Sequence, residues 1–141
     1  MRLLGIDLGT KTMGLAITDS LQMVASGLEN FEYKNNDLNI CIQKIKDLWF
    51  RYRDIEKIIL GYPTNVNNTK NDQTLLVEKF YKLLRTIIPD DFEIILQDER
   101  YTTIKATGMM KYGAGLKSSQ IKKIKDKMSA VVILQEYMER I

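Results

Sequence analysis

The sequence predicts an α/β protein: a five-stranded mixed β-sheet with α-helices packed on its faces. Three observations carry that expectation. Two apolar runs near the start, residues 2–8 and 13–19, are separated only by Gly9-Thr10-Lys11-Thr12, which reads as a hairpin. A later run, Ile58-Ile59-Leu60, has the unbroken apolar character of a strand covered on both sides. Around it lie segments whose apolar residues recur at helical spacing.

Taken in order, a third strand is expected over residues 23–33. Asn35-Asn36-Asp37 then offers good helix-capping chemistry. Behind it Leu38, Cys41, Ile45, Leu48 and Tyr52 form a helical stripe, widened by Ile42 and Trp49. The fourth strand covers 56–61, and a polar loop over 65–72 leads into a second helix. Its stripe is Leu75, Leu76, Phe80, Leu83, Leu84 and Ile87, and Pro89 stops it. A fifth strand over 92–96 ends in Gln97-Asp98-Glu99-Arg100. Thr102 or Thr103 can cap a short helix that closes near Gly113, and a long final helix starts at Ser118. Helices between the later strands imply parallel crossovers, whereas the first three strands can form an antiparallel meander.

Composition narrows the chemistry. The 141 residues are 45% hydrophobic and 28% charged, enough for one domain spanning 1–141 with a real core. No apolar stretch is long enough to cross a bilayer, and the start lacks the pattern of a secretory signal, so a cytoplasmic protein is expected. Cys41 is the only cysteine and reads as a core thiol. Histidine is absent, which removes the commonest general base, the commonest metal ligand and every Ser-His or Cys-His nucleophile pair. Chemistry here must rest on carboxylates, lysines, hydroxyls or a metal.

Charge is unevenly placed. Residues 100–127 hold eight cations, including Arg100, Lys122, Lys123 and Lys125, against Asp126 alone, leaving +7 in a chain that is +3 overall. Such a segment suits a polyanion, nucleic acid being the usual one, or is simply a solvated helix face.

Three acids stand out from different elements. Asp7 ends a strand expected at the centre of the sheet, Glu99 lies just past the end of another, and sites in open sheets gather at the carboxyl ends of strands. Asp126 lies on the last helix, where Ala130, Ile133 and Tyr137 follow it on one apolar stripe. Each also has a local reading: an Asx turn at Asp7, a surface pair of Glu99 with Arg100, neutralisation of lysines by Asp126. Together they form an oxygen-only set of the kind that holds Mg²⁺ or Mn²⁺. A pair of such ions would suit phosphodiester hydrolysis without any histidine.

Four stretches in order, Gly5-Ile6-Asp7-Leu8-Gly9-Thr10-Lys11, Leu60-Gly61-Tyr62-Pro63, Asp98-Glu99-Arg100 and Asp126-Lys127-Met128-Ser129-Ala130, resemble the YqgF family of Holliday junction resolvase-like, pre-16S rRNA nucleases. The resemblance runs nearly end to end. It implies a ribonuclease H-like fold and two-metal nuclease chemistry, with Asp7, Glu99 and Asp126 as catalytic and metal-binding acids. Lys11 and Arg100 match basic family positions and would contact phosphate. The implied work is processing of the 5′ end of the small-subunit ribosomal RNA precursor, in the cytoplasm; the alternative is cleavage of four-way DNA junctions. For a small basic nuclease of this kind a monomer or weak homodimer is expected. Two departures from the family pattern are the absence of a glycine in 64–69, after Gly61-Tyr62-Pro63, and Lys127 where a small residue often stands.

Two other readings compete. Asp7-Leu8-Gly9-Thr10 also resembles the first phosphate loop of actin- and hexokinase-like ATPases, but those need two lobes, and this chain has length for one. No classical P-loop occurs either. A non-catalytic nucleic-acid-binding module would need the lysines but not the acids.

Overall fold

The computed structural model describes residues 1–34, 37–63, 70–98 and 118–139, with side chains of the last segment described from Met128 onward. The elements are β1 (Arg2–Leu8), β2 (Thr12–Thr18), β3 (Ala25–Glu32), α1 (Leu38–Arg51), β4 (Ile55–Tyr62), α2 (Asp72–Ile87), β5 (Ile94–Asp98) and α3 (Ser118–Glu139). The expected short helix over 102–113 and most of the 65–72 loop lie outside the described residues.

The five strands form one sheet in the order β3-β2-β1-β4-β5, which puts β1 at its centre. β1–β2 and β2–β3 pair antiparallel, β1–β4 and β4–β5 parallel, as the spacing of helices along the chain predicts.

Because side chains alternate along a strand, each strand feeds two cores. Leu4, Ile6 and Leu8 of β1, Met13 and Leu15 of β2, and Ile58 and Leu60 of β4 pack against Cys41, Ile45 and Leu48 of α1 and Val77, Phe80 and Leu84 of α2. Trp49 stacks edge-on against Phe92 with ring centroids 4.3 Å apart. On the opposite face Leu3, Ala16 and Ile59 meet Ala130, Val131, Ile133 and Leu134 of α3.

Helix ends follow local chemistry. Asp37 caps α1 by accepting from the Asn39 amide, and Asn71 and Thr74 form a reciprocal capping box on α2. That box corrects the stripe expected for α2. Thr74 and Val77 are buried, with the Thr74 hydroxyl bonded to the Pro63 carbonyl, while Leu75 and Ile87 are exposed. The third strand is also shorter than expected. Asp19 Oδ1 accepts from the Met23 and Val24 amides at 2.8 and 2.9 Å, holding both in a turn, so that β3 begins only at Ala25. Among the described residues no helix is long and apolar enough to cross a membrane.

α3 lies directly on the backbone of β1. A Cβ at Gly5 would sit 2.6 Å from Leu134 Cγ and 3.1 Å from the Ala130 carbonyl oxygen, so a side chain there would push the helix away. At the amino end of the parallel strands, Lys57 Nζ, on the residue paired with Leu3, donates to the Tyr137 hydroxyl at 3.3 Å. With Tyr137 at the level of Leu3 and Ala130–Leu134 at Gly5, α3 runs antiparallel to β1. Its earlier residues therefore lie toward the carboxyl end of β1.

Candidate active site

Asp7 is the penultimate residue of β1 and half-buried. Its neighbours Ile6 and Leu8 point into the core beneath α1 and α2, so Asp7 points to the α3 face. Residue 126 lies on α3 one turn before Ala130, and Ala130 is the residue packed over Gly5. The direction of α3 thus brings position 126 to the end of the sheet that carries Asp7.

β5 ends at Asp98, which is level with Tyr62 at the end of β4. The chain at 98 is therefore at this same end of the sheet, two strands from Asp7. Glu99 and Arg100 themselves fall outside the described residues, as does the side chain of Asp126. Among the described residues no three acidic, imidazole or thiol side chains are grouped closely enough to hold a metal ion; of the three acids singled out from sequence, only Asp7 has its side chain among them.

The backbone beyond Asp7 is held by three elements. Within the hairpin, the Gly9 amide donates to the Thr12 carbonyl at 2.8 Å. From the end of β3, the Tyr33 amide donates to the Lys11 carbonyl at 3.0 Å and the Tyr33 hydroxyl to the Gly9 carbonyl. From the first turn of α2, Gln73 Nε2 donates to the Leu8 carbonyl at 3.2 Å. A carboxylate followed by so constrained a turn is preorganised, which is what a metal or phosphate site requires. Lys11 occupies the tip of this turn and is exposed, at the same end of the sheet.

Tyr33 and Cys41 lie beneath the turn. Burial pushes the Tyr33 hydroxyl up to about 12, with the neighbouring Cys41 adding to the rise. Burial likewise raises the Cys41 thiol to about 12, helped by Asp37. Both are neutral structural groups and not nucleophiles.

Strand pairing places four more residues beside Asp7. Asp7 pairs with Gly14, and Gly14 with Asn30. On the other side Ile6 pairs with Leu60, so Gly61 is level with Asp7, and Gly61 pairs with Gln97. Paired residues share a face, so Asn30, Gly14, Asp7, Gly61 and Gln97 form one row across the sheet on the α3 face. Two buried glycines, Gly14 and Gly61, flank the carboxylate and place no side chain beside it. Sequence reasoning passed over Asn30 and Gln97, because a lone amide in a strand carries no periodic signal; only the register reveals them. Gln73 and Tyr33 were missed because their bonds to the Leu8 and Gly9 carbonyls join segments far apart in the chain.

Residues 1–140 match the family model described as RuvX: Holliday junction resolvase. The chain belongs to that family. It is 46% identical to a protein of Ureaplasma parvum serovar 3, across 99% of this chain and 97% of that one, and 37% identical to one of Bacillus subtilis, across 99% and 98%. Both relatives are provisionally named pre-16S rRNA nucleases. The YqgF resemblance seen in the motifs is thereby borne out. Among solved structures, T. thermophilus RuvC in complex with a Holliday junction substrate matches with a TM-score of 0.57 and 13% identity, covering 99% of this chain and 95% of that one. The Fowlpox virus resolvase in complex with Holliday junction DNA also matches at 0.57, with 14% identity and coverage of 99% and 98%. At these identities the likeness is one of fold, and that fold is ribonuclease H-like.

Proposed function

We propose that this RuvX-family protein is a metal-dependent nuclease that hydrolyses phosphodiester bonds, and that its task is trimming the 5′ end of the pre-16S ribosomal RNA in the cytoplasm. The observation that carries the reading is the placement of Asp7: a half-buried carboxylate at the carboxyl end of the central strand, facing α3 and followed by a turn that three elements hold. The names of the full-length relatives support the ribosomal substrate. The family description supports a second reading, cleavage of four-way DNA junctions by the same site.

Asp7, Glu99 and Asp126 would hold the metal. Carboxylates without imidazole or a second thiol are a hard-oxygen donor set, which fits Mg²⁺ or Mn²⁺ and fits zinc or copper poorly. Bound there, a pair of ions would supply water activation and neutralise charge building up on the phosphodiester oxygens. The chain's own part is to fix the Asp7 carboxylate through the 8–12 turn and to meet the substrate with cations. Lys11, exposed at the tip of that turn, and Arg100 are assigned to phosphate.

The test compares pre-16S RNA carrying its 5′ extension, unrelated single-stranded RNA and four-way junction DNA, each with Mg²⁺, with Mn²⁺ and with chelator. Metal-dependent cutting of the ribosomal precursor in preference to the other two is the expected result. Preferential cutting of the junction would favour the second reading. Cutting of none, with retained binding, would leave a nucleic-acid-binding module.

A further inference from the structure

Among the described residues only two buried side-chain atoms lack any hydrogen-bond partner, Gln97 Nε2 and Asn30 Oδ1. Both belong to the cross-sheet row that contains Asp7, one on each side of it. Gln97 is 4% exposed, unusual for a glutamine, and a buried donor without a partner destabilises a folded chain. Such groups are rare in native proteins, and an unmet donor in the same row as a carboxylate points to a ligand that accepts from it.

On the β5 side the intervening residue is Gly61, whose lack of a side chain leaves the space between Gln97 and Asp7 unobstructed by the strand between them. Two strand spacings, about 9–10 Å between backbones, separate the pair. That is too far for a direct bond between most side chains, but it suits a glutamine and an aspartate with a phosphate group between them. An amide is also the right donor for the position. It offers N–H to an anionic oxygen without bringing a buried charge of its own.

We propose that Gln97 is a substrate-contacting residue, its side-chain N–H donating to a non-bridging oxygen of the phosphodiester held at Asp7. The assignment deepens the nuclease reading and rests on it. A neutral donor aimed at the phosphate holds the linkage in place beside Asp7 and contributes most when that oxygen gains charge during attack.

The test uses Gln97→Met, which keeps length and burial but removes the donor, Gln97→Glu, which keeps shape but replaces the donor with an acceptor, and Asp7→Asn. Readouts are kcat/KM on the RNA that the wild type cuts, thermal melting, and affinity for that RNA with either a phosphate or a methylphosphonate at the cut linkage. Gln97→Met should lower kcat/KM about tenfold or more while melting at or above the wild-type temperature, since an unmet buried donor has gone. Gln97→Glu should lose at least as much. The methylphosphonate, which lacks one acceptor oxygen and the negative charge, should weaken binding to the wild type by a larger factor than binding to Gln97→Met, which has only the contacts to metal and cations left to lose. A role confined to packing would lower the melting temperature without altering that discrimination, and this result would overturn the assignment; if Gln97→Met does not fold, Gln97→Glu decides by the same readouts. Asp7→Asn inactive with Gln97→Met at the wild-type rate would overturn the role of Gln97 alone. Asp7→Asn cutting normally would overturn the nuclease site itself.

Discussion

The two faces of the sheet are made by alternate residues of the same strands, yet they end differently. Beneath α1 and α2 the apolar set continues to the carboxyl end of β1, through Leu4, Ile6 and Leu8, and Phe80 and Leu84 close over it. Beneath α3 the apolar set stops early. Leu3, and then the row of Gly5 with its partners Ala16 and Ile59, give way along the strands to the row of Asp7, Asn30, Gln97 and two glycines. One face therefore stays apolar along its whole length, and the other turns polar at one end. On the proposed function, stability and chemistry are separated across the thickness of a single strand, one residue apart.

If the separation is real, variants on the two faces should fail in opposite ways. The largest effect on chemistry is expected at Asp7. Asp7→Asn should reduce metal-dependent cleavage a hundredfold or more, by the magnitudes common for groups that stabilise transition-state charge, with a melting temperature close to wild type. Phe80→Ala, on the other face, should cost about 3–5 kcal/mol in urea unfolding while leaving cleavage per folded molecule unchanged. Cleavage loss without unfolding at Phe80, or the reverse at Asp7, would erase the distinction.

Gly5→Val sharpens the comparison, because Gly5 joins the two functions. Its added carbons would meet Leu134 and the Ala130 carbonyl, at a cost of about 1–3 kcal/mol for overpacking. It should also lower cleavage beyond the folded fraction lost, since α3 carries position 126. A Gly5→Val variant with unaltered cleavage would mean that α3 contributes nothing to the chemistry.

The smallest effect concerns pH and belongs to the apolar face. Cys41 and Tyr33 hold their protons in the folded chain up to about 12, because burial disfavours the charged forms, whereas their ordinary values are 9.0 and 10.0. Between those values the unfolded chain binds fewer protons than the folded one, so stability should be insensitive to these groups below pH 9 and fall as pH rises toward 12. Urea midpoints at pH 8, 10 and 11 measure the fall. Tyr33→Phe should flatten its part above pH 10, and an unflattened curve would place Tyr33 in solvent.

Most of the architecture was legible in the sequence, for identifiable reasons. The limits of β1 follow from an unbroken apolar run between Arg2 and a glycine turn, and α1 from Asp37 and the Leu38-Cys41-Ile45-Leu48 stripe. The errors fell where an apolar residue has no partner. Met23 and Val24 look like strand but sit in the Asp19 turn, and Leu75 looks like core but lies beside a capping box that buries Thr74 in its place. Within the candidate site, Asp7 drew notice because an acid interrupts an apolar strand before a glycine turn. Asn30 and Gln97 were not readable, since their significance lies in the register linking β3 to β2 and β5 to β4, separated by tens of residues in the chain.

The central claim is that divalent cations bind at the carboxyl end of β1, and paramagnetic broadening by Mn²⁺ in amide NMR spectra tests it most directly. Sub-stoichiometric Mn²⁺ should broaden Asp7, Leu8, Gly61 and Gln97 first, spare Leu21 to Val24 at the far end of the sheet, and lose its effect in Asp7→Asn. Broadening centred elsewhere, or unchanged in Asp7→Asn, would contradict the metal site and the nuclease reading built on it.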